Sequence, residues 1–264
     1  MPTIKKILFP TSCSESSKKA FEYTLAIARR FGAEIDLLHI CEPNMDILVP
    51  GILRHQLLQE QKQAAQRMLQ NWLNEFEVEQ VKVSQEVELG YAKEMIATYA
   101  NQQKDLDLIV IGTKDSSSSF KKIIWGTIIS TTIEAVVNVP VLVVPKGIVF
   151  QEIKNIAYVT PVNPAWQAVY PRVKEIAAAF KAKLYVTHLP QGKYDDVEGE
   201  NHVVIEDYAS ALHAFSYNNN LHLLVTVASV RNTFQKILQY SKAQKMAFET
   251  IIPLLVLKKG ASQG

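Results

Sequence analysis

The sequence predicts an α/β protein made of two tandem doubly wound parallel sheets, with the second copy shortened. Three observations carry this. Residues 4–40 and 153–189 align without a gap at an offset of 149: IKKILFPTSCSESSKKAFEYTLAIARRFGAEIDLLHI against IKNIAYVTPVNPAWQAVYPRVKEIAAAFKAKLYVTHL. The copies also end alike, VPVLVVP (Val139–Pro145) against IPLLVL (Ile252–Leu257), but at an offset of 113, so the second lacks 149 − 113 = 36 residues from its middle. Finally, short apolar runs alternate with helical periodicity along each copy. A repeat this long marks duplicated domains rather than a solenoid. The boundary falls near Lys146 to Gln151, giving domains 1–148 and 149–264.

In the first copy, Ile7 to Phe9 reads as a short strand. Ser14 to Phe31 is a helix, with Phe21, Thr24, Leu25, Ala28 and Phe31 at helical spacing. Ser14 suits the N-cap and Gly32 the C′ position. Ile35 to Ile40 is the second strand. Leu53, Leu57, Ala65, Met68, Leu69, Trp72 and Phe76 mark a long amphipathic helix. Val81 to Leu89 alternates as a strand does, and Tyr91 to Ala100 is helical. Leu108 to Ile111 is a continuous apolar strand, as a sheet covered on both faces requires. Ile128 to Val137 is the last helix and Val141 to Val144 the last strand.

The second copy keeps strands at Ile156 to Val159, Leu184 to Thr187, Leu221 to Val227 and Leu254 to Leu257, and a helix through Ile205, Tyr208, Leu212 and Phe215. The long second helix has no counterpart. The polar run Gln191 to Glu200 stands in its place, leading to a short strand at His202 to Val204. Pro171, inside the first helix of this copy, predicts a kink or a late helix start.

Composition bounds the function. Hydrophobic residues make up 48% of the 264 and charged residues 20%, with a formal net charge of +2. Lys and Arg are dispersed, so neither a nucleic-acid surface nor a polybasic membrane anchor is expected. The N-terminal apolar run is too short for a signal peptide core, and no stretch suits a membrane span. Two cysteines cannot staple a chain of this length, which points to the reducing cytoplasm.

ILFPTSCSESSKKAFEYTLAIARRFGAEIDLLHI resembles the start of universal stress protein domains, and IVIGTK…GTIISTTIEAVVNVPVLVVP their end. VRNTFQKILQYSKAQKMAFETIIPLLVL is similar to the second half-domain of tandem members. The resemblance implies a five-stranded parallel sheet of order 3-2-1-4-5 in each copy. It implies that the two last strands meet within one chain as a pseudo-dimer, with homodimerisation a further option. Pro140 and Pro253 suit the first residue of such edge strands.

Members that bind ATP carry Gly-x-x-Gly, nine residues, then Gly-Ser or Gly-Thr, with an aspartate after the first strand. Such glycines let backbone approach phosphate oxygens, and a helix N-terminus completes the cradle. Here Gly112 matches the first glycine. Asp115 takes the second position, Trp125 the third, and Gly126-Thr127 arrives one residue late. Ser12 replaces the aspartate. Ser116 to Ser119 and Lys114, Lys121 and Lys122 could still serve an anion, although a serine run is commonly a solvated loop. If domain 1 holds Mg-ATP, the resemblance assigns Pro10, Thr11, Ser12 and Ile40 to the nucleoside and Gly112, Thr113, Gly126, Thr127 and Ile128 to the phosphates. In domain 2, Val227 to Asn232 stands where the glycine loop belongs, no glycine occurs from Ser229 to Lys258, and Pro161 holds the aspartate position. No nucleotide is expected there.

No Gly-x-Ser-x-Gly elbow and no zinc spacing occur. His39 and His188 are equivalent and read as structural. Cys13 and Cys41 follow the first and second strands, which the resemblance makes neighbours about 4.8 Å apart, so a redox pair is one hypothesis against two separate thiols. The resulting expectation is a cytoplasmic stress-associated binding or interaction module with a degenerate nucleotide loop, with slow ATP hydrolysis the most catalysis foreseen. The alternative is an ATP-binding signalling protein using domain 1 alone.

Overall fold

In the computed structural model of the chain, residues 4–43, 51–113, 127–161, 165–189, 202–204, 215–227 and 252–258 are described. The first half contains β1 (Lys6–Thr11), α1 (Glu15–Phe31), β2 (Glu34–Cys41), α2 (Gly51–Leu73), β3 (Val83–Leu89), α3 (Ala92–Gln102), β4 (Leu108–Gly112), α4 (Thr127–Ala135) and β5 (Val141–Val144). The second contains β6 (Asn155–Pro161), α5 (Ala165–Phe180), β7 (Lys183–Leu189), β8 (His202–Val204), β9 (Leu223–Val227) and β10 (Leu254–Leu257). The segments expected as a helix at 205–214 and as the two glycine-loop regions, 114–126 and 228–232, lie outside the described residues.

The strands form one sheet in the order β3-β2-β1-β4-β5-β10-β9-β6-β7-β8. Every pair is parallel except β5 with β10. Local chemistry explains the elements. Ile7, Leu8 and Phe9 are fully buried in β1, the continuous apolar run of a strand covered on both faces. Helix α1 ends at Gly32, whose φ of 66° is the left-handed stop that glycine adopts without a Cβ penalty, and its N–H donates to the Ala28 carbonyl. Ser14 has N-cap backbone geometry, but its hydroxyl does not cap. It lies 3.0 Å from the hydroxyls of Ser12, Ser16 and Ser17 instead.

At the centre, Val141, Leu142 and Val143 oppose Val256, Leu255 and Leu254. Adding 113 to each residue of the first trio gives the partner of its mirror position, so a local twofold axis passes through the Leu142–Leu255 pair. Pro140 and Pro253 precede these strands, which are interior and not edges. Each proline carbonyl still accepts a ladder bond, from Ile109 N–H at 3.0 Å and Leu224 N–H at 2.9 Å. The missing proline N–H is therefore spent just outside the pairing.

Two apolar layers flank the sheet, and each runs unbroken through both halves. One contains Phe21, Trp72, Leu142, Leu255 and Val173; the other contains Leu8, Ile133, Val141, Val256 and Ala157. Helices α1 and α5 meet at their C-terminal ends. The Phe31 and Phe180 rings stand edge-on at 5.1 Å, and the Arg30 guanidinium donates to the Phe180 carbonyl at 2.7 Å. Lys258, buried just after β10, donates to the Ile133 carbonyl in the last turn of α4, where a cation favours the helix dipole.

Two helices depart from expectation. In α2 only Ala65, Leu69, Trp72 and Leu73 are buried, whereas Leu53, Leu57 and Met68 are exposed. A helix of 23 residues spans about 34 Å, but the eight residues of β2 span about 26 Å. The N-terminal part of α2 therefore overhangs the sheet. Helix α5 begins at Ala165, six residues before Pro171, so the late start is not observed. A proline in the second turn forfeits one backbone bond and leaves the rest of the ladder intact.

Leu255→Ala is expected to lower stability by about 2–5 kcal/mol, through lost transfer and the cavity left opposite Leu142. Because both apolar layers are continuous, calorimetry should still show one unfolding transition. Two separated transitions would show that the halves unfold independently.

Candidate functional site

A doubly wound sheet opens a crevice where consecutive strands lead to opposite sides. In the first half of this order that point lies between β1 and β4. Their ladder has only two pairs, Ile7 with Leu108 and Leu8 with Ile109, although both strands continue for three more residues. On its other side β1 stays paired with β2 as far as Thr11 and His39. The split therefore exposes the ends of β1 and β4 at the carboxyl edge.

Five of the expected nucleoside and phosphate residues surround this split. Pro10, Thr11 and Ser12 close β1, and Gly112 and Thr113 close β4. Ile40 stands one strand away near the end of β2. Thr127 and Ile128 open α4. Gly126 lies outside the described residues, as do Asp115 and the serine run.

The described residues are committed to the fold to an extent the spacing could not reveal. A Cβ on Gly112 would lie 2.6 Å from the Cβ of Ala20, so β4 and α1 approach too closely for any side chain there. Thr113 is buried, and its hydroxyl accepts the N–H of Lys146 at 2.9 Å, tying β4 to the exit of β5. The Thr11 hydroxyl accepts the N–H of Cys13 at 3.0 Å. The Thr11 carbonyl accepts His39 Nδ1–H at 2.9 Å, which fixes the ring tautomer. His39 is thus a buried brace between the ends of β1 and β2, and His188 takes the equivalent place opposite Thr160. Ser12 is exposed, whereas Pro10, Thr11, Ile40, Gly112, Thr113 and Ile128 are buried or half-buried.

Cys13 sits in the left-handed region, φ 53°, at the turn from β1 into α1. Its thiol lies 4.0 Å from His39 Nδ1, but that nitrogen's proton is directed at Thr11. Burial pushes the Cys13 thiol up to about 11, only partly offset by Thr11. A reactive redox thiol needs the opposite shift. Cys13 and Cys41 are both free and half-buried.

Sequence reading missed the polar network at the opposite edge. Lys6 pairs with Asp36 at 3.1 Å and Asp105 at 3.3 Å. Burial alone would lower its pKa, and the two carboxylates together raise it instead. Asp107 accepts the amides of Lys5 and Lys6 at 2.7 and 3.1 Å. The scatter of these residues over 100 positions offered no spacing to detect. Among the described residues no cluster of three or more His, Cys, Asp or Glu could hold a metal ion. None of their helices is long and apolar enough to cross a membrane.

Fold and crevice together define a doubly wound α/β protein whose sheet opens at the carboxyl ends of β1 and β4. The profile of the universal stress protein family matches residues 3–145. A universal stress protein of Methanocaldococcus jannaschii is 30% identical over 146 residues, covering 54% of this chain and 82% of that protein. The chain belongs to the universal stress protein family. Its fold is similar to that of a universal stress protein from Archaeoglobus fulgidus, at a TM-score of 0.66 and 15% identity over 98% of both chains. It is similar as well to a functionally unknown protein of Pseudomonas aeruginosa, at 0.58 and 14%, covering 97% of this chain and 93% of that one.

Two measurements check this geometry. Gly112→Ala should cost about 1–3 kcal/mol in chemical denaturation, the penalty of forcing a methyl into a packed site, and Ala20→Gly in the same chain should restore part of it. In a Cys41→Ala background, iodoacetamide at pH 8 should alkylate native Cys13 about a hundredfold more slowly than the urea-unfolded chain, because two pKa units separate the thiolate populations. The native rate should climb toward pH 11. Equal native and unfolded rates would mean the thiol is not buried as described.

Proposed function

We propose that the chain is a tandem universal stress protein whose second half is a shortened domain of the same kind. It works as a stress-response binding and interaction module with a degenerate nucleotide loop. The antiparallel join of β5 to β10 makes it a pseudo-dimer within one chain, placed in the cytoplasm. We read it as a binding protein rather than an enzyme, with slow ATP hydrolysis the most catalysis foreseen.

The observation that carries this reading is the commitment of Gly112 and Thr113 to packing. The glycine is explained by its contact with Ala20 and the threonine hydroxyl by Lys146. Neither needs a phosphate to account for it. The sequence adds Asp115 where the family's ATP binders have glycine, a carboxylate that repels phosphate.

The second reading, Mg-ATP in the first half alone, is favoured by the opening of β1 from β4 and by the N-terminus of α4 at Thr127, an anion-favouring end. A melting experiment separates the two. Saturation of a native-state site at a hundred times Kd stabilises by about 2.7 kcal/mol. We expect no rise in Tm with millimolar Mg-ATP. A rise that Gly126→Val abolishes would replace the first reading by the second.

A further inference from the structure

Two cavities lie beside the local twofold axis. One is lined by Tyr23, His222 and Pro253 and crossed by the linker at Gly147, Ile148 and Val149; the other is lined by Leu142, Leu255, Asp107 and Arg172. Both belong to the join of the two halves. A larger opening, about 560 Å³, lies between α2 and the turn at Cys13, with Ala64, Met68 and Asn71 in its lining.

Helix α2 carries two apolar stripes. Ala65, Leu69, Trp72 and Leu73 form the first, and it is buried. Leu53, Leu57, Ala64 and Met68 form the second, at spacings of four, seven and four residues. Such spacings keep side chains along one line of a helix. This second stripe is uncovered: Leu53, Leu57 and Met68 are 47%, 40% and 43% exposed, and Ala64 is exposed as well. Scattered apolar residues are ordinary on a surface, whereas a continuous line of them marks a contact.

The order of residues along the stripe indicates what covers it. The stripe is symmetric about the peptide bond between Glu60 and Gln61. Leu57 and Ala64 lie equally far from that point, and so do Leu53 and Met68. A second α2 laid antiparallel across a twofold axis at this point sets Leu57 against Ala64 and Leu53 against Met68. Each contact joins a branched side chain to a small or a flexible one, which lets two helices interdigitate. Leu53 of the second copy then comes over the groove beside Met68. Helix α2 begins only two residues before Leu53, so the pairing helix ends there.

The charges agree with this direction. Glu60 and Arg67 are seven residues apart, so they share one flank of the stripe. Both are exposed, and among the described residues Arg67 forms no ion pair. An antiparallel twofold keeps that flank on the same side in both copies, so Glu60 of each faces toward Arg67 of the other. A parallel pair would set Ala64 against Ala64 and carry the two charged flanks to opposite sides. The second half of the chain has no counterpart of α2, so each chain offers one such stripe. A contact that uses the same patch on both partners closes at two copies.

We propose that the exposed stripe of α2 is an interface for a second copy of this chain, formed by antiparallel pairing of the two α2 helices about a twofold between Glu60 and Gln61. It is separate from the join of β5 to β10, which lies inside each chain. It stands whether or not the crevice holds a nucleotide. A single helix pair buries less than the ~1,200 Å² of a standard interface, so the association is weak, in the micromolar range.

Sedimentation equilibrium of the full chain, from micromolar to near-millimolar concentration, should show a monomer–dimer equilibrium. Leu57→Glu puts a carboxylate into the apolar line of both helices and should weaken the dimer about a hundredfold. Glu60→Arg sets like charges on one flank and should weaken it several-fold, and adding Arg67→Glu should restore it. The Tm of each variant at low concentration reports whether it folds. Cross-linking reads the register. In a Cys13→Ala, Cys41→Ala background, mild oxidation should join two copies of Glu60→Cys, which sit near the axis. It should not join two copies of Leu53→Cys, which lie about 22 Å apart along the pair. A monomer at every concentration would overturn the proposal, and so would a dimer that Leu57→Glu leaves intact. Cross-linking at residue 53 and not at 60 would overturn the antiparallel register.

Discussion

The rest of the structure depends on three pairs of residues, Val141, Leu142 and Val143 against Val256, Leu255 and Leu254. Each half alone would end at a short, apolar strand with one side unpaired, an edge ready to pair with any other. Joining the two edges removes both and satisfies their backbone groups at once. It also makes the apolar layers of the halves into two layers of one molecule, so the cost of exposing either edge falls on both. The reverse direction of this one pair among parallel neighbours generates the twofold axis. That axis sets where α1 meets α5 and where Lys258 reaches the end of α4.

The same economy of space operates at the crevice. Packing α1 close on β4 removes room for a side chain at Gly112, and that approach brings the helix start and the ends of β1 and β4 together. The polar groups there are used to hold the strand ends. His39 braces Thr11, Thr11 holds the turn at Cys13, and Thr113 holds the exit of β5. A glycine within a phosphate-binding pattern can therefore arise from helix–strand packing alone, and spacing cannot distinguish the two causes. The neighbour of Gly112 in space is 92 residues away in the chain (112 − 20 = 92).

Sequence periodicity revealed the strands well. β10 and β5 have the bounds their apolar runs imply, and β8 was visible as three residues after a polar segment. Its success came from burial on both faces, which writes an unbroken apolar run that needs no partner to be read. Helix α2 was legible in type and misleading in burial. Leu53 and Leu57 obey the period of a buried face, but burial depends on whether a strand lies beneath, and α2 is longer than the strands. The hydroxyl of Ser14 shows the same limit at smaller scale, because neighbouring serines compete with the backbone for it. The Lys6 network and the cavity at Arg172 left no local trace, because each joins residues brought together only by strand order.

Connectivity imposes one further asymmetry on this nearly symmetric molecule. Two separate chains paired through their last strands could keep both spaces beside the axis alike. A single chain must travel from the end of β5 to the start of β6, and ten residues cover that path (154 − 145 + 1 = 10). The route passes over Tyr23 and Pro253, so one of the two spaces acquires Ile148 and Phe150 as its cover. The other lies away from the path of this linker. The residues around the two differ, Tyr23 and His222 beside the linker and Arg172 and Asp107 in the mate. The symmetry of the sheet makes the two spaces, and the direction of the chain decides which one the linker crosses.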